Sequence, residues 1–509
     1  MGETAAVIDV IVIGSGFGGA VAASRLTDAG IAVTLLERGP WRDTVATRSA
    51  GIARTQPFPR DLALLTRMLR SLRLPGTPRL SLNKQGLFDI HVDHGVSVIC
   101  SSNVGGGSHV YSGLQRLPHV ANFWDGHAED VSTAGLLPHY YAVLADMGPP
   151  LASPALKLPN TTYQRYAHSN AIETPVPEGP TWLGFLFPAE PGKPETIVDA
   201  NGITRNQIDV AANDDGFLGS PGGSKTSLDI AYLIPAMRKG LTIRDLCEVE
   251  SIERLSARGP ARYAVHVTDH HSGTKERLLA ANVIVAAGGL NTLRLLLRSR
   301  DGTKTLSGMP NLGRRFGCNG DFMGWWDQSE YGDITAGLPA RGPFRARGPE
   351  DFPALGGGAF PAIDRYPIPQ FLKQRLRRVQ WIAGIGVDAM DGVARWTPQG
   401  LRIDFNGDNS PVFARIKAGV RALVERTGKR IHYTRNPITV HPTGGACMGA
   451  SIATAVVDGN GEVFDHPGLY VADAAALPAE PGGPPSLTIA AWASHVAARF
   501  IARRAATRL

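Results

Sequence analysis

Residues 7–39 read VIDVIVIGSGFGGAVAASRLTDAGIAVTLLERG. The run from Val7 to Ile13 is apolar and rich in β-branched residues, which suits a buried strand. SGFGGAVAASRLTDAG then reads as a tight turn into a helix that stops at Gly30, and IAVTLLERG alternates as a second strand. Strand, helix and strand make a βαβ unit with parallel strands. The glycines at Gly14, Gly16 and Gly19 have separate tasks. Gly14 permits the turn, Gly16 lets backbone approach a pyrophosphate, and Gly19 lets helix and strand pack closely. Glu37 follows about twenty residues later at the end of the second strand, where a carboxylate accepts from ribose hydroxyls. With strand, helix and acid all in place, the match is far more specific than a lone GxGxxG.

The apolar stretch VIDVIVIGSGFGGAVAAS (residues 7–24) is not expected to be a signal peptide or a membrane span, because it lacks a basic leader and is interrupted by Asp9 and four glycines. The opening MGETAA puts Ala6 where a myristoylation site wants Ser or Thr. Cys100, Cys247, Cys318 and Cys447 are scattered without metal-ligand spacing, so no metal site and no disulfide framework are expected, and a reducing, cytoplasmic setting fits best.

A chain of 509 residues with 43% hydrophobic content has ample apolar surface for two domains sharing a ligand cleft. Its 59 glycines and 37 prolines point to many loops between ordinary elements. The net charge of +7 is concentrated: residues 41–80 hold eight arginines against Asp43 and Asp61, a balance of +6. No helix-turn-helix, RNA-binding or zinc-finger pattern accompanies that charge, so a nucleic-acid partner is not expected. Within the segment, DLALLTRMLRSLRL places Leu62, Leu65, Leu69 and Leu72 at helical spacing with Arg60, Arg67, Arg70 and Arg73 elsewhere on the wheel. This predicts an amphipathic basic helix, either an ordinary packed surface helix or a lid with transient membrane-surface contact.

Further on, SSNVGGGSHVYSG (residues 101–113) is too flexible for an element interior and reads as a loop held against something. NVIVAAGGLNTLRLLL is a second strand that ends in small residues and opens into a helix, which belongs beside the first nucleotide site. From about Gly317 to Val440, DFMGWWDQSEY and the hairpin-like GVARWTPQGLRIDF suggest a mostly antiparallel sheet that could form a substrate wall.

These blocks, with HPTGGACMG (residues 441–449) and GLYVADAAALPAEPGGPPSLTIAAWASHVAARFI near the end, stand in the order seen in glucose-methanol-choline (GMC) flavoprotein oxidoreductases. KTSLDIAYLIPAM and PNLGRRFGCNGDFMG resemble the cholesterol oxidase branch of that family. The resemblance implies an α/β fold: a Rossmann-like FAD-binding domain (1–40, 91–118, 225–316, 441–509), an entrance segment (41–90), and a discontinuous α+β substrate-binding domain (119–224, 317–440) on a mostly antiparallel sheet. It implies FAD with its ADP part on Gly14, Ser15, Gly16, Phe17, Gly18, Gly19, Glu37 and Arg38, and Val249 near the adenine. Gly105, Gly106, Gly107, Ser108, Tyr111, Ser112, Gly113 and Leu114 would run along the isoalloxazine. Ala286, Ala287, Gly288, Asp473 and Ala474 would add pyrophosphate and ribityl contacts, and Pro484, Pro485, Ser486 and Leu487 would close the site. Some relatives tether FAD through a histidine in the glycine loop; aligned on the glycines, Tyr111 takes that position and His109 lies two residues early, so the FAD is expected to be non-covalent.

The resemblance further implies that His441 is the general base, or an orienting partner, for oxidation of an alcohol by hydride transfer to flavin N5. An imidazole titrating near neutrality suits proton removal. Pro442 would fix the backbone, and Gly444 and Gly445 would leave room for ring and substrate. Two family features are missing. The second polar partner, an Asn or His, aligns with Pro484, which cannot hydrogen-bond, and the glutamate with which steroid oxidases isomerise their product aligns with Gly356 to Gly358. The expected activity is oxidation of a bulky, lipophilic, sterol-like or terpenoid-like alcohol, with oxygen or a carrier as final acceptor and without coupled isomerisation. The rival expectations are desaturation or isomerisation of a carbonyl compound, and a lipid-surface protein with a vestigial flavin.

Overall fold

The computed structural model describes residues 6–148, 170–173, 182–190, 192–212, 214–256, 259–339, 343–348 and 352–506. β1 (Val7–Ile13) and β2 (Val33–Leu36) lie parallel and are joined by α1 (Phe17–Asp28), as the opening stretch predicts. Val10, Ile11 and Val12 are fully buried, which explains why β1 is a continuous apolar run: a strand in the middle of a parallel sheet is covered on both faces. Lys275–Val285 runs parallel to β1 on its other side, Thr242–Arg244 adds to β2, and Leu469–Val471 pairs with the end of Lys275–Val285. Two antiparallel strands, Tyr263–Asp269 and Cys247–Arg254, extend the edge.

The register of this sheet positions the site. Ile13 pairs with Leu36 and with Val285, and Val285 pairs with Val471. Four strands therefore end on one line, and the residues that follow them, Gly14, Glu37, Ala286 and Ala472, stand side by side at the carboxyl edge, where open α/β sheets bind ligands. α1 packs beside the long terminal helix Ser486–Ala506, which in turn meets the helix Thr133–Met147.

A second, antiparallel sheet runs in the order Leu355–Ala359, Val379–Gly384, Phe322–Asp327, Ile431–Tyr433. The helix Pro411–Thr427 buries Ile416, Val420 and Leu423 in one core with this sheet's Phe322, Trp326 and Ile382. The mixed α/β class with a second, antiparallel sheet is thus as expected. GVARWTPQGLRIDF is a hairpin, Gly392–Thr397 with Gly400–Asp404.

The predicted basic helix over 61–74 is not formed. A five-residue helix, Ala63–Arg67, gives way to a strand, Leu69–Arg73, in a third sheet with Leu80–Ser81, Phe88–Asp93, Val96–Ser101 and Ile438–Thr439. Helical leucine spacing lost to pairing and charge. Arg70 and Arg73 point inward, where they meet Glu248 and Asp93. Such tertiary partners override a weak local preference. Arg42, Arg60, Arg70 and Arg73 are accordingly not a wet face, whereas Arg48 and Arg54 stay exposed. Arg42 is buried and donates to Asn103 Oδ1 and the carbonyls of Pro57, Gly86 and Ser102, while Arg60 pairs with Asp214.

Candidate active site

One continuous cavity of about 1240 Å³ runs from the carboxyl edge of the first sheet to the face of the second. That exceeds the roughly 300–1,000 Å³ of a pocket for one drug-sized ligand, so it has room for a dinucleotide and a second molecule. Its first half is the glycine turn. Gly14 has φ +96°, and a Cβ there would fall 2.4 Å from Ala286 O, so the turn and the second strand-glycine junction touch. A Cβ on Gly18 or Gly19 would strike the Ala472 or Gly14 carbonyl at 1.9 Å, which makes both packing residues. Gly16 differs: nothing lies within 4 Å of a Cβ built there, and the residue faces the cavity at the N-terminus of α1. The first N–H groups of a helix have no partner inside it, so an open Gly16 at this end is a cradle for an anion.

Glu37 is buried, and its Oε2 accepts from Ser15 N (3.0 Å) and Ser15 Oγ (2.7 Å), while Oε1 accepts from Gly39 N (2.7 Å). Burial pushes its carboxyl above the usual range. The acid therefore ties the first turn to its own strand end as well as lining the cavity, with carboxylate lone pairs left over. Ser15 Oγ also receives Gly105 N (3.1 Å), and a Cβ on Gly106 would come within 2.5 Å of Gly16 Cα, so the glycine loop lies directly over the turn. Arg38 pairs with Asp89 at 2.7 Å. Asp473 accepts from Gly288 N (2.7 Å), Thr292 Oγ1 and Ala475 N (2.9 Å), and burial pushes its carboxyl up to about 6.

Of the residues expected at the cofactor, Gly14 to Gly18, Glu37, Arg38, Gly106, Gly107, Tyr111, Ser112, Leu114, Val249, Ala286 to Gly288, Asp473, Ala474 and Pro484 to Ser486 line the cavity. Gly19, Gly105, Ser108, Gly113 and Leu487 stand behind it. Ser108 Oγ is used up between Gly105 O and Leu228 N, Gly113 packs on the Phe185 ring, and Leu487 is buried in the core. His109 is also turned inward: its Nε2 sits 2.7 Å from Val104 O. Tyr111 lies on the wall, donates its hydroxyl to Thr226 O (2.9 Å) and meets Phe17 edge-on.

The other half of the cavity is apolar, walled by Phe217, Met323, Trp325, Leu355, Phe360 and Trp381. Gly356 and Gly357 are on this wall. Gly358 makes way for the Trp381 ring, since a Cβ there would meet it at 2.2 Å. His441 sits at the cavity with its side chain 25% exposed. Its Nδ1 is 2.9 Å from Asp321 Oδ1; Oδ2 of the same carboxylate accepts from Thr439 Oγ1 (2.8 Å) and Val440 N (3.0 Å). A carboxylate only accepts, so Nδ1 carries a proton, and in the neutral imidazole Nε2 keeps its lone pair. Asp321 is 120 positions from His441 in sequence and was not among the residues expected at the site. Gly444 and Gly445 do not make room in the cavity. They pack backward, where a Cβ would meet Arg315 O at 2.1 Å and the Leu293 side chain at 2.5 Å.

Family models described as GMC oxidoreductase match residues 198–318 and 409–493, and one described as an NAD(P)-binding Rossmann-like domain matches residues 12–41. The chain belongs to the GMC oxidoreductase family. Similar proteins include a cholesterol oxidase of Acinetobacter baumannii, 24% identical over 96% of this chain and 93% of its own length. A long-chain-alcohol oxidase of Arabidopsis thaliana is 22% identical over 97% of this chain and 66% of its own. Among solved structures, pyridoxine 4-oxidase from Mesorbium loti superposes with a TM-score of 0.62 at 18% identity, covering 97% of this chain and 99% of that one; this likeness is one of fold. As a GMC oxidoreductase the chain is of the flavoprotein type, and the open Gly16 cradle, the row of strand ends and the size of the cavity fit FAD.

Proposed function

We propose that this GMC oxidoreductase oxidises the CH–OH group of a bulky, lipophilic alcohol, sterol-like or terpenoid-like, with His441 as proton acceptor. The observation that carries the reading is the Asp321–His441 pair at an apolar chamber continuous with the dinucleotide run. FAD, held non-covalently along Gly14–Gly18, Glu37, Val249, the glycine loop and Asp473, supplies the acceptor for the substrate hydride. The residues of the chain do the rest. The aromatic wall takes the hydrocarbon body and excludes water. Nε2 of His441 receives the hydroxyl proton while the carbon loses its hydrogen with two electrons and becomes a carbonyl carbon. Asp321 stabilises the imidazolium so formed. Glycines at 356–358 leave no carboxylate there to move a proton within the product, so oxidation without coupled isomerisation is the outcome.

Lipophilic substrate enters from a lipid surface in this reading. Leu62, Leu65 and Phe371 are 74%, 69% and 68% exposed on adjacent segments joined by the bond from Asp61 N to Arg365 O (2.7 Å), and Arg67, Lys373, Arg375 and Arg378 are interspersed. Met68 and Leu69, next along the chain, already line the cavity. A second reading, desaturation or isomerisation of a carbonyl compound, draws on Pro484, whose ring offers an alcohol no hydrogen bond. Anaerobic mixing with a panel of alcohols and ketones separates the two: bleaching by alcohols supports oxidation, and turnover of ketones alone supports the rival. Acid precipitation tests the non-covalent attachment, which predicts yellow supernatant and colourless pellet.

A further inference from the structure

Residues 478–485 read PAEPGGPP, and the acid in this proline-rich turn, Glu480, is buried away from the cavity wall. Its Oε1 accepts from Asn319 N (3.0 Å) and from Thr443 Oγ1 (2.7 Å). Asn319 stands two residues before Asp321 and Thr443 two residues after His441, so one carboxyl oxygen joins the two segments that carry the pair. Strand pairing brings them within its reach. Gly317 faces Thr443 across the ladder, and a Cβ on Gly317 would fall 1.8 Å from Oε1. Asn319 ties the same turn a second time, its Oδ1 accepting from Gly482 N (3.1 Å) and its Nδ2 donating to Gly483 O (2.8 Å).

The second oxygen of Glu480 is the odd atom. Oε2 is buried and receives no hydrogen bond from the described residues. A carboxylate oxygen stripped of water and given no donor is costly to bury. Its neighbours are acids and thiols: Asp388, Cys318 and Cys447 surround it, Asp321 lies one residue beyond the turn, and exposed Arg315 gives its guanidinium to Pro478 O. Asp388 is within hydrogen-bonding reach of Glu480, and its own oxygens are well supplied. Oδ2 accepts from Cys318 N (2.9 Å), Gly320 N (3.1 Å) and the Cys318 thiol (3.2 Å), and Oδ1 from Met390 N (2.9 Å). Three backbone donors favour the charged form of Asp388. The N–H groups of residues 318, 319 and 320 thus go alternately to two acids, and carboxyls that close do not both ionise. The proton falls to the acid with the unsupplied oxygen, Glu480, whose O–H then donates to Asp388. Burial, with the Asp388 carboxylate beside it, pushes the Glu480 carboxyl well above its usual 4.5.

We propose that Glu480 is a positioning residue of the reaction site, a neutral acid that shares one proton with Asp388 and locks the Asp321 turn to the His441 segment. Its neutrality matters as much as its bonds. An ionised Glu480 would set a third carboxylate beside Asp321 and Asp388, favour imidazolium at His441 and take away the lone pair that receives the hydroxyl proton. The part played in the reaction rests on the alcohol-oxidation reading, whereas the shared proton rests on the hydrogen bonds alone.

The test uses the flavin-loaded protein with Glu480→Gln, which keeps shape, neutrality and a donor toward Asp388, and with Glu480→Leu, which keeps bulk alone. In the infrared difference between the parent and Glu480→Gln at neutral pH, the parent should show the carbonyl band of a protonated carboxylic acid, moved by exchange into heavy water. The folded chain keeps the Glu480 proton while the unfolded chain releases it above pH 4.5, so the stability this group gives below 4.5 is lost as pH rises. Glu480→Gln, which does not titrate, should therefore gain melting temperature on the parent as pH rises from 4.5. Glu480→Leu should keep its flavin but slow the limiting rate of anaerobic bleaching by alcohol roughly 10- to 100-fold, the scale of a misplaced reacting group. Glu480→Gln should restore that rate with the pH midpoint of the parent. Absence of the acid band overturns the shared proton, and a Glu480→Gln protein as slow as Glu480→Leu overturns the neutral role. Bleaching of Glu480→Leu at the parent rate overturns the positioning role and leaves the alcohol reading standing. If Glu480→Leu does not fold, the band, melting curve and pH midpoint of Glu480→Gln decide alone. A parent bleached by no alcohol removes the alcohol reading and the part of Glu480 in it, while the infrared band still decides the shared proton.

Discussion

Replacing Asp321 by Asn changes one oxygen to an NH2 and leaves the shape of the pocket intact, yet it should nearly abolish flavin reduction. Asp321 faces two obligations. Oδ2 must accept from Val440 N (3.0 Å), a backbone donor with no choice, and Oδ1 faces Nδ1 of His441 at 2.9 Å. An asparagine satisfies Val440 only by turning its oxygen there, so its NH2 points at Nδ1. The imidazole must then accept at Nδ1 and carry its proton on Nε2, the wrong tautomer for taking a proton from an alcohol. The variant also loses the charge that stabilises imidazolium. Unit charges about 4 Å apart at an effective dielectric of about 20 interact by about 4 kcal/mol, near three decades of rate. Asp321 is 6% exposed but His441 is 25% exposed, so water screens part of this. The expected loss is roughly 10² to 10³-fold in the limiting rate of anaerobic bleaching, read by rapid mixing, with flavin content unchanged because Asp321 is not on the dinucleotide run. Bleaching within about threefold of the parent would refute the role given to the pair.

Gly16→Val should fold and yet purify without flavin, because a Cβ there has no protein atom within 4 Å and the side chain would occupy the anion cradle; full absorbance at 450 nm in that variant would place the nucleotide elsewhere. Leu69→Ser, on the cavity wall, should raise KM for long alcohols more than for short ones, whereas exposed Leu65→Ser should spare KM in detergent and weaken sedimentation with anionic liposomes. Uniform effects of both would favour plain packing. His91 gives a pH signature: burial, beside Arg73 and Arg294, lowers its pKa from 6.5 to about 4. Between those values the unfolded chain binds a proton that the folded chain refuses, so the His91 contribution to stability is intact above about 6.5 and is lost as pH falls toward 4. His91→Gln should therefore gain melting temperature relative to the parent across that window and keep a constant gap outside it; a gap independent of pH throughout would show that His91 titrates normally.

What could be read from the chain depended on how local the physics was. The βαβ opening and the AAGG junction were legible because strand period, turn glycines and helix start all fall within about thirty residues, and register then aligns their ends without further information. His441 was legible only as a histidine before a proline in a familiar order of blocks. Its partner was not, because a pairing across 120 residues leaves no periodic trace; the one signal available was an acid, Asp321, at the foot of an aromatic strand. The segment 61–74 misled for the same reason. Leucines at helical spacing are visible in sequence, but the carboxylates of Asp93 and Glu248 that draw Arg73 and Arg70 into a strand come from elsewhere. Gly444 and Gly445 were read as leaving room for ring and substrate, but the atoms they make way for, Arg315 O and Leu293, lie behind them.

The central claim is tested most directly by mixing the anaerobic, flavin-loaded protein with long-chain and sterol alcohols and following the 450 nm band in the parent and in His441→Ala. The account predicts that at least one such alcohol bleaches the parent with release of the matching carbonyl compound, and that His441→Ala, with the same flavin content, does so roughly 10² to 10⁴-fold more slowly. Bleaching of His441→Ala at near the parent rate, or a parent that no alcohol bleaches while a ketone is turned over, would contradict it.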